Sequence, residues 1–345
     1  MRVLVTGHHG YIGSAVAPML AAAGHDVVGL DTFFYEGCEF GADQRSFEER
    51  RGDVRDVTAA ELEGFDAIVH LAALSNDPLG DFDAELTYDI NLRGTLHLAE
   101  EGKRAGVERF VFASSCSMYG AASGDDLLDE TAPLRPLTPY AESKVEAEKG
   151  LSQLADDTFS PVHLRNATAY GASPRLRVDI VLNNLAGWAF TTKKIKILSD
   201  GMAWRPIVHV RDIGRAVLGV LAAPREQVHD LAVNVGATAE NYRVRELAQL
   251  VHDELPESEV EIAGGSYADP RSYRVDFSLY QRLLPGFEAE WTAAAGAKEL
   301  VDAYRMNDLS YEEFNGYRYT RLKQIRRLLE EGRLDDSLRW KARGR

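Results

Sequence analysis

Residues 1–31 read MRVLVTGHHGYIGSAVAPMLAAAGHDVVGLD. No other stretch narrows the fold as far. Val3, Leu4 and Val5 form a short apolar run that predicts a buried parallel strand. The turn Thr6-Gly7-His8-His9-Gly10-Tyr11-Ile12-Gly13 follows. Ser14 to Ala23 is rich in alanine and predicts a helix that Gly24 ends, and Asp26 to Leu30 predicts a second strand. In such a unit Gly7 allows the tight turn, Gly10 lets a pyrophosphate approach the backbone, and Gly13 lets the helix lie close to the strand. The helix N-terminus then offers free N–H groups and a favourable dipole to an anion. The G-x-x-G-x-x-G spacing is one residue longer than the commonest dinucleotide fingerprint. With a strand before it, a helix after it and an acid closing the second strand, it reads as a dinucleotide site. His9, Tyr11 and Ile12 join the three glycines as expected cofactor contacts.

The acid is Asp31. A carboxylate at the end of the second strand bonds the hydroxyls of an adenosine ribose. A 2′-phosphate there meets a like charge, which at ~4 Å and an effective dielectric of ~20 costs roughly 4 kcal/mol. NAD is therefore expected rather than NADP.

The net charge of −15 argues against nucleic acid and anionic membranes as partners. No apolar run approaches the ~20 residues of a membrane span. The N-terminus enters a strand at once, so no signal peptide is expected. Two cysteines, Cys38 and Cys116, make neither a disulfide framework nor a metal quartet, and a reducing cytoplasm is the expected setting. At 345 residues the chain can hold one large or two unequal domains.

Along the chain, Thr32 to Phe47 has aromatic residues but no period; a loop near the substrate and a packed surface loop are both open. Asp53 and Val54 follow a third strand and are expected at the adenine edge, with a capping role as the rival for Asp53. Asp66 to Ala73 predicts a fourth strand; Leu71, Ala72 and Ala73 at its end would let a cofactor pass closely. Ser75 opens a loop expected to touch substrate. Leu86 to Ala105 predicts a helix containing Asn91, and Glu108 to Ser115 a fifth strand. This alternation predicts a parallel sheet covered on both faces, with ligands at the carboxyl ends of the strands. Ser114-Ser115-Cys116-Ser117 lies at such an end. A helix starting near Pro139 then carries Tyr140 and Lys144, four apart and on one face. A lysine near a phenol favours the phenolate, which makes the tyrosine a general base.

At this point the chain resembles the extended short-chain dehydrogenases/reductases, and within them the NAD-dependent nucleotide-sugar epimerases and dehydratases, of the UDP-glucose 4-epimerase kind. TGHHGYIG, Asp31, HLAA, Asn91, SSCSMYG and YAESK fall in that family's order. The resemblance implies a Rossmann-type doubly wound parallel sheet over 1–170, with later segments near 205–235 interleaved, and a smaller C-terminal α/β substrate lobe over 171–345. It implies Tyr140 as base, Lys144 as its tuner and ribose ligand, Ser115 as proton shuttle, and Asn91 and Ser114 as cofactor contacts. It also implies a homodimer in which the helices around 86–105 and 140–155 pair across a two-fold axis.

The resemblance places the substrate too. The family's 4,6-dehydratases carry an Asp-Glu pair directly after the serine, where this chain has Cys116-Ser117. Elimination is thus poorly supported, and inversion at C4 through a transient 4-keto sugar is favoured. A 4-ketoreductase or dehydratase of the same fold stands second, and an NAD-sensing protein third. Cys116 is either a small buried hydrophobe or a displaced acid. The 4-epimerase asparagine position holds Thr168, with Asn166 two residues earlier. Asn183 and Asn184 resemble diphosphate contacts, and Trp204 to Val210 resembles the family's R-x-x-x-H-V signature. Arg205 is the expected diphosphate clamp. Arg271, beside the stretch from Asp269, is a candidate for the second clamp. Ala293 to Trp340 reads as a solvated helical cover, and no metal site is expected.

Overall fold

Strands covered on both faces must be apolar along their whole length, and the computed structural model uses the apolar runs in that way. It describes residues 1–42, 46–75, 83–121, 126–262 and 271–341. β1 (Arg2–Thr6), β2 (Asp26–Asp31), β3 (Glu48–Arg51), β4 (Ala67–His70), β5 (Arg109–Ser115), β7 (Ser160–Asn166) and β11 (Leu231–Val235) form one sheet in the order β3-β2-β1-β4-β5-β7-β11. Every neighbouring pair is parallel. The order reverses between β1 and β4, which opens a crevice at their carboxyl ends.

The helices Gly13–Ala22 and Val210–Ala222 cover one face, where Val16, Leu20, Ile213 and Val217 pack on Val3, Val5, Val69 and Val111. The helices that end in Gly94–Arg104 and Pro139–Leu154 cover the other, where Leu98, Ala147 and Leu151 pack on Leu4, Ile68 and Phe110. A second group of elements builds a separate apolar core. It comprises β8 (Thr168–Tyr170), β10 (Trp204–His209) and β12 (Asn241–Arg243) in one small sheet, and β9 (Lys194–Ile197) paired with β13 (Glu259–Ile262) in another; the short β6 (Leu127–Leu128) pairs with β14 (Arg274–Val275). The helices Val181–Thr192, Val244–Glu254 and Ala293–Met306 enclose that core.

Several expectations change. The stretch from Val162 to Tyr170 serves two sheets: the chain leaves the large one at Asn166 and enters the small one at Thr168. The fourth strand stops pairing at His70, since Leu71 to Ala73 must swing past the glycine turn. The helix around Asn91 is α-helical over Ala84–Thr87 and Gly94–Arg104, with a π-helical segment, Tyr88–Arg93, between them. The C-terminal part is not a solvated cover. Helix Arg321–Glu330 is followed by a non-helical tail, and Ile325, Leu328, Leu334 and Leu338 are buried with Phe34, Leu74, Leu86 and Ile90.

His70 ties the two strands that flank the crevice. The Thr95 hydroxyl donates to the Asn91 carbonyl at 2.7 Å, so it accepts from His70 Nε2–H at 2.8 Å. His70 Nδ1 then accepts from the Thr6 hydroxyl at 2.6 Å. The ring is neutral, and burial lowers its pKa to about 3. The unfolded imidazole takes its proton near the ordinary 6.5. Between these values the unfolded chain binds the extra proton, so stability falls as pH falls. Chemical denaturation from pH 6.5 towards 4 is expected to show a loss of about 1.4 kcal/mol per pH unit from this group. The slope becomes shallower in His70→Asn.

Candidate active site

The crevice is a cavity of about 610 Å³ that runs from the end of β2 to the start of β10. Its floor is the glycine turn. Gly7 has φ +74°, and a Cβ there would lie 2.6 Å from the Ala72 amide nitrogen. A Cβ on Gly13 would lie 2.1 Å from the Gly7 carbonyl oxygen. A Cβ on Gly10 would meet that oxygen at 3.1 Å and nothing else, so this face of the turn is open to a ligand. Tyr11, Ile12, Leu71, Ala72 and Ala73 line the same floor.

At one end, Asp31 Oδ2 accepts from the His9 amide at 3.0 Å and Oδ1 from the Phe33 amide at 2.8 Å. Two backbone donors thus orient the carboxylate along the cavity edge. Asp53 and Val54 also line this end. The Asp53 carboxylate binds Arg55 through Nε at 3.0 Å and Nη2 at 2.7 Å, and accepts from the Arg55 amide at 2.9 Å. Burial works against its charge, but Arg55 outweighs burial and holds the carboxyl below its usual range. The aromatic loop after β2 lies here as well. Phe34 and Tyr35 line the cavity, and Phe40 is in the second core. Phe34, Cys38 and Phe40 are buried, as the packed reading of this loop has it.

At the middle stand Ser114, Ser115 and Ser117 from the end of β5, with Tyr140 and Lys144 on the helix that Thr138 caps. Ser115 Oγ donates to Ser117 Oγ at 2.9 Å and accepts from its amide at 3.1 Å. The nearby Ser115 hydroxyl also favours the charged form of the Tyr140 phenol. Lys144 Nζ donates to the Ala113 carbonyl at 2.8 Å, and lies 5.8 Å from the Tyr140 ring centre and 4.5 Å from that of Phe112. Burial, opposed by Glu148, brings the Lys144 ammonium down to about 7. Burial pushes the Tyr140 phenol up, against the Ser115 hydrogen bond and the Arg177 charge.

Ser75, Thr168, Asn184, Arg205 and Arg271 line the far part. Arg205 Nη1 donates to the Arg271 carbonyl, which ties the two expected clamps together. Asp269, noted with Arg271 in the sequence, lies outside the described residues.

Four expected contacts do not line the cavity. The Cys116 thiol donates to the Arg165 carbonyl at 3.0 Å and is buried in the core, where burial pushes its pKa up. It is the buried hydrophobe, not a displaced acid. Asn183 is fully buried; its side chain accepts from the Gly171 amide and donates to the Arg177 carbonyl at 2.8 Å, so it shapes the loop after β8. Asn91 accepts from the Leu74 amide at 2.8 Å and donates to the Leu74 carbonyl at 3.1 Å, like a strand partner that fixes the exit of β4. The His9 ring accepts from Arg175 Nε at 3.3 Å, and its amide donates to Asp31. Conversely, the cavity includes residues that sequence reading left out. Asn166 Oδ1 is buried there without a partner. Tyr35, Arg177, Asp179, Lys196 and Arg321 are among the others. Asn166 sat in a motif out of register; Arg177 and Arg321 had no motif to mark them.

The fold and this serine–tyrosine–lysine wall define an extended short-chain dehydrogenase/reductase. The chain belongs to the NAD dependent epimerase/dehydratase family, whose model matches residues 3–236. It is similar to the UDP-glucose 4-epimerase of Streptomyces lividans, with 32% identity over 275 residues, 72% of this chain and 80% of that protein. It is also similar to the dTDP-D-glucose 4,6-dehydratase of Mus musculus, with 28% identity over 321 residues and 89% of each chain. Among solved structures, MoeE5 in complex with UDP-glucose and NAD superposes with a TM-score of 0.77 at 29% identity, covering 90% of this chain and 100% of that one. The family is NAD-dependent, and the open face at Gly10 and the Asp31 carboxylate at the cavity edge fit that cofactor. Calorimetry is expected to give NAD at least tenfold tighter than NADP, and Asp31→Ala narrows the gap; equal affinities in the unaltered protein would contradict the charge argument.

Proposed function

We propose that the protein is a nucleotide-sugar 4-epimerase that retains its NAD. One observation carries this reading: the cavity wall presents Ser115, Tyr140 and Lys144 together, with no carboxylic acid beside Ser115. The next two positions hold a buried thiol and a hydroxyl. Of the acids that line the cavity among the described residues, Asp31 and Asp53 lie at the adenosine end. The third, Asp179, is bound to Arg177 at 2.9 Å. Loss of water needs an acid for the departing hydroxyl and a second base for the neighbouring carbon. C4 inversion needs one proton carrier only.

The glycine turn, Asp31, Lys144 and Tyr140 would hold the cofactor, which supplies reversible hydride acceptance at the sugar's C4. Tyr140 takes the proton of the 4-hydroxyl, with Ser115 as the shuttle between the two oxygens, and returns it when the 4-keto sugar is reduced on its opposite face. Lys144 lowers the cost of the phenolate by placing its charge beside the ring. Arg205 and Arg271 hold the sugar nucleotide's diphosphate, since a guanidinium matches phosphate oxygens in pairs. Ser75, Ser117, Thr168 and Asn184 face the sugar. The similarity to the Streptomyces lividans epimerase supports this reading. The match along 89% of the mouse dehydratase favours elimination as a second reading, and the acid-free pair after Ser115 weighs against it.

A panel of nucleotide sugars followed by NMR is expected to show inversion at C4, with a C4 deuterium label kept through turnover. Loss of the label to solvent, or formation of a 6-deoxy product, would remove the C4-epimerase assignment. Tyr140→Phe is expected to lower turnover by ~10²–10⁴-fold while NAD stays bound. Lys144→Ala loses turnover and cofactor affinity together. Ser115→Ala is milder, because Ser117 and water share its site. Cys116→Ser is close to silent.

A further inference from the structure

Two buried guanidiniums on the cavity wall have no part in the chemistry above. Arg177, in the loop after β8, is 6% exposed; its Nε binds Asp179 Oδ1 at 2.9 Å and its Nη1 donates to Ser75 O at 3.0 Å and to Ser75 Oγ at 3.2 Å. Its Nη2 has no hydrogen-bond partner among the described residues. Arg321, the first residue of helix Arg321–Glu330, is 2% exposed; its Nη2 donates to the Arg175 carbonyl at 2.7 Å and its guanidinium lies 4.1 Å over the Tyr35 ring. Its Nη1 has no partner, and among the described residues it has no ion pair. A buried charge with an unfilled N–H is costly unless an anion arrives.

The surroundings say which anion. Both cations act on Tyr11 of the glycine turn and on Tyr35 after β2, so both stand near the turn. Arg321 stacks on Tyr35, four residues past Asp31, and Arg177 binds Ser75, two residues past Ala73; both line the same cavity as Asp31 and the serine–tyrosine–lysine wall. A dinucleotide spanning these two ends carries its negative charge there, in its diphosphate. The sugar nucleotide's diphosphate has other cations available, Arg205 and Arg271. The segment that carries Arg321 is also fastened to the adenosine rim. Gln324 Nε2 donates to the Phe34 carbonyl at 3.0 Å, Trp340 Nε1 to the Thr32 carbonyl at 2.6 Å, and Arg339 pairs with Asp53 at 3.2 Å and with Asp56. All of it lies beyond the residues that the family model matches.

We propose that Arg177 and Arg321 together clamp the cofactor's diphosphate, and that residues 321–340 form a strap whose closure holds the dinucleotide in place. The inference rests on the NAD reading above but not on the reaction. Each N–H without a partner gains a phosphate oxygen, and the paired forks match it in geometry. The strap's contacts must break before the nucleotide can leave.

The test uses the full-length holoenzyme. NAD release after dilution is expected to be at least tenfold faster in Arg321→Gln and in Arg177→Gln. Calorimetry should show a matching loss of affinity for ADP with adenosine unchanged, since adenosine lacks the diphosphate. Binding of UDP or dTDP, whichever the unaltered protein takes, should not change. Weakened UDP or dTDP binding with ADP unchanged would hand the clamp to the sugar nucleotide and overturn the proposal. Unchanged NAD release would overturn it as well. Should a glutamine variant fail to fold, Arg321→Lys keeps the charge and loses the fork; unchanged NAD release there refutes the bidentate clamp. Absence of epimerase activity with these binding changes present would count against the reaction alone.

Discussion

The cavity depends on one steric condition: two backbone positions in the glycine turn must carry no side chain. The exit of β4 passes so close to Gly7 that a Cβ would overlap the Ala72 amide, and the first helix sits so close that a Cβ on Gly13 would overlap the Gly7 carbonyl. With both contacts made, β1 and β4 end side by side, and His70 locks them through Thr6 and Thr95. The crevice follows, because the sheet order reverses between those same strands.

On that floor the protein gathers charges that water would otherwise screen. Lys144 is held in a nearly dry position by a single carbonyl, and burial moves its pKa towards neutrality. The same burial raises the Tyr140 phenol, so the pair depends on its neighbours for the proton state that base catalysis needs. Arg177 differs: Asp179 outweighs burial and keeps its guanidinium firmly charged. Arg321 makes no ion pair among the described residues, and burial, opposed by Tyr35 and Asp179, works against its charge. A site with cations in these environments is built for an anionic ligand, in a chain whose net charge is −15.

Support for the wall comes from behind it. Glu148, one helical turn after Lys144, binds the buried Arg165 guanidinium at 2.8 Å. Arg165 also donates to the Glu130 carbonyl and to Tyr119, so the helix that carries Tyr140 is anchored to β7 by an ion pair and not by apolar contact alone. Asn91 does similar work for the loop after β4, where its amide closes both backbone bonds of Leu74. Two polar residues that resemble ligand contacts in the sequence, Asn91 and Asn183, thus serve the backbone next to the ligand.

The sequence by itself determined the local chemistry. A short apolar run, three glycines at fixed spacing and an acid at a strand end leave few alternatives, because each depends on neighbouring backbone geometry alone. Tyr140 and Lys144 were legible for the same reason: four residues on a helix share a face whatever the rest of the chain does. Only the tertiary structure decided which polar side chains reach the cavity. Cys116 and Ser117 are adjacent in sequence, yet one turns into the core and the other into the crevice, as the 3₁₀ turn Cys116–Tyr119 dictates. Arg321 lies 310 residues from Tyr11 in a charged helix that reads as surface. Its burial arises because Ile325, Leu328, Leu334 and Leu338 pack on Phe34 and Leu86. Long-range packing of that kind leaves no local pattern, so the residues it brings to the site could be found only once the chain was folded.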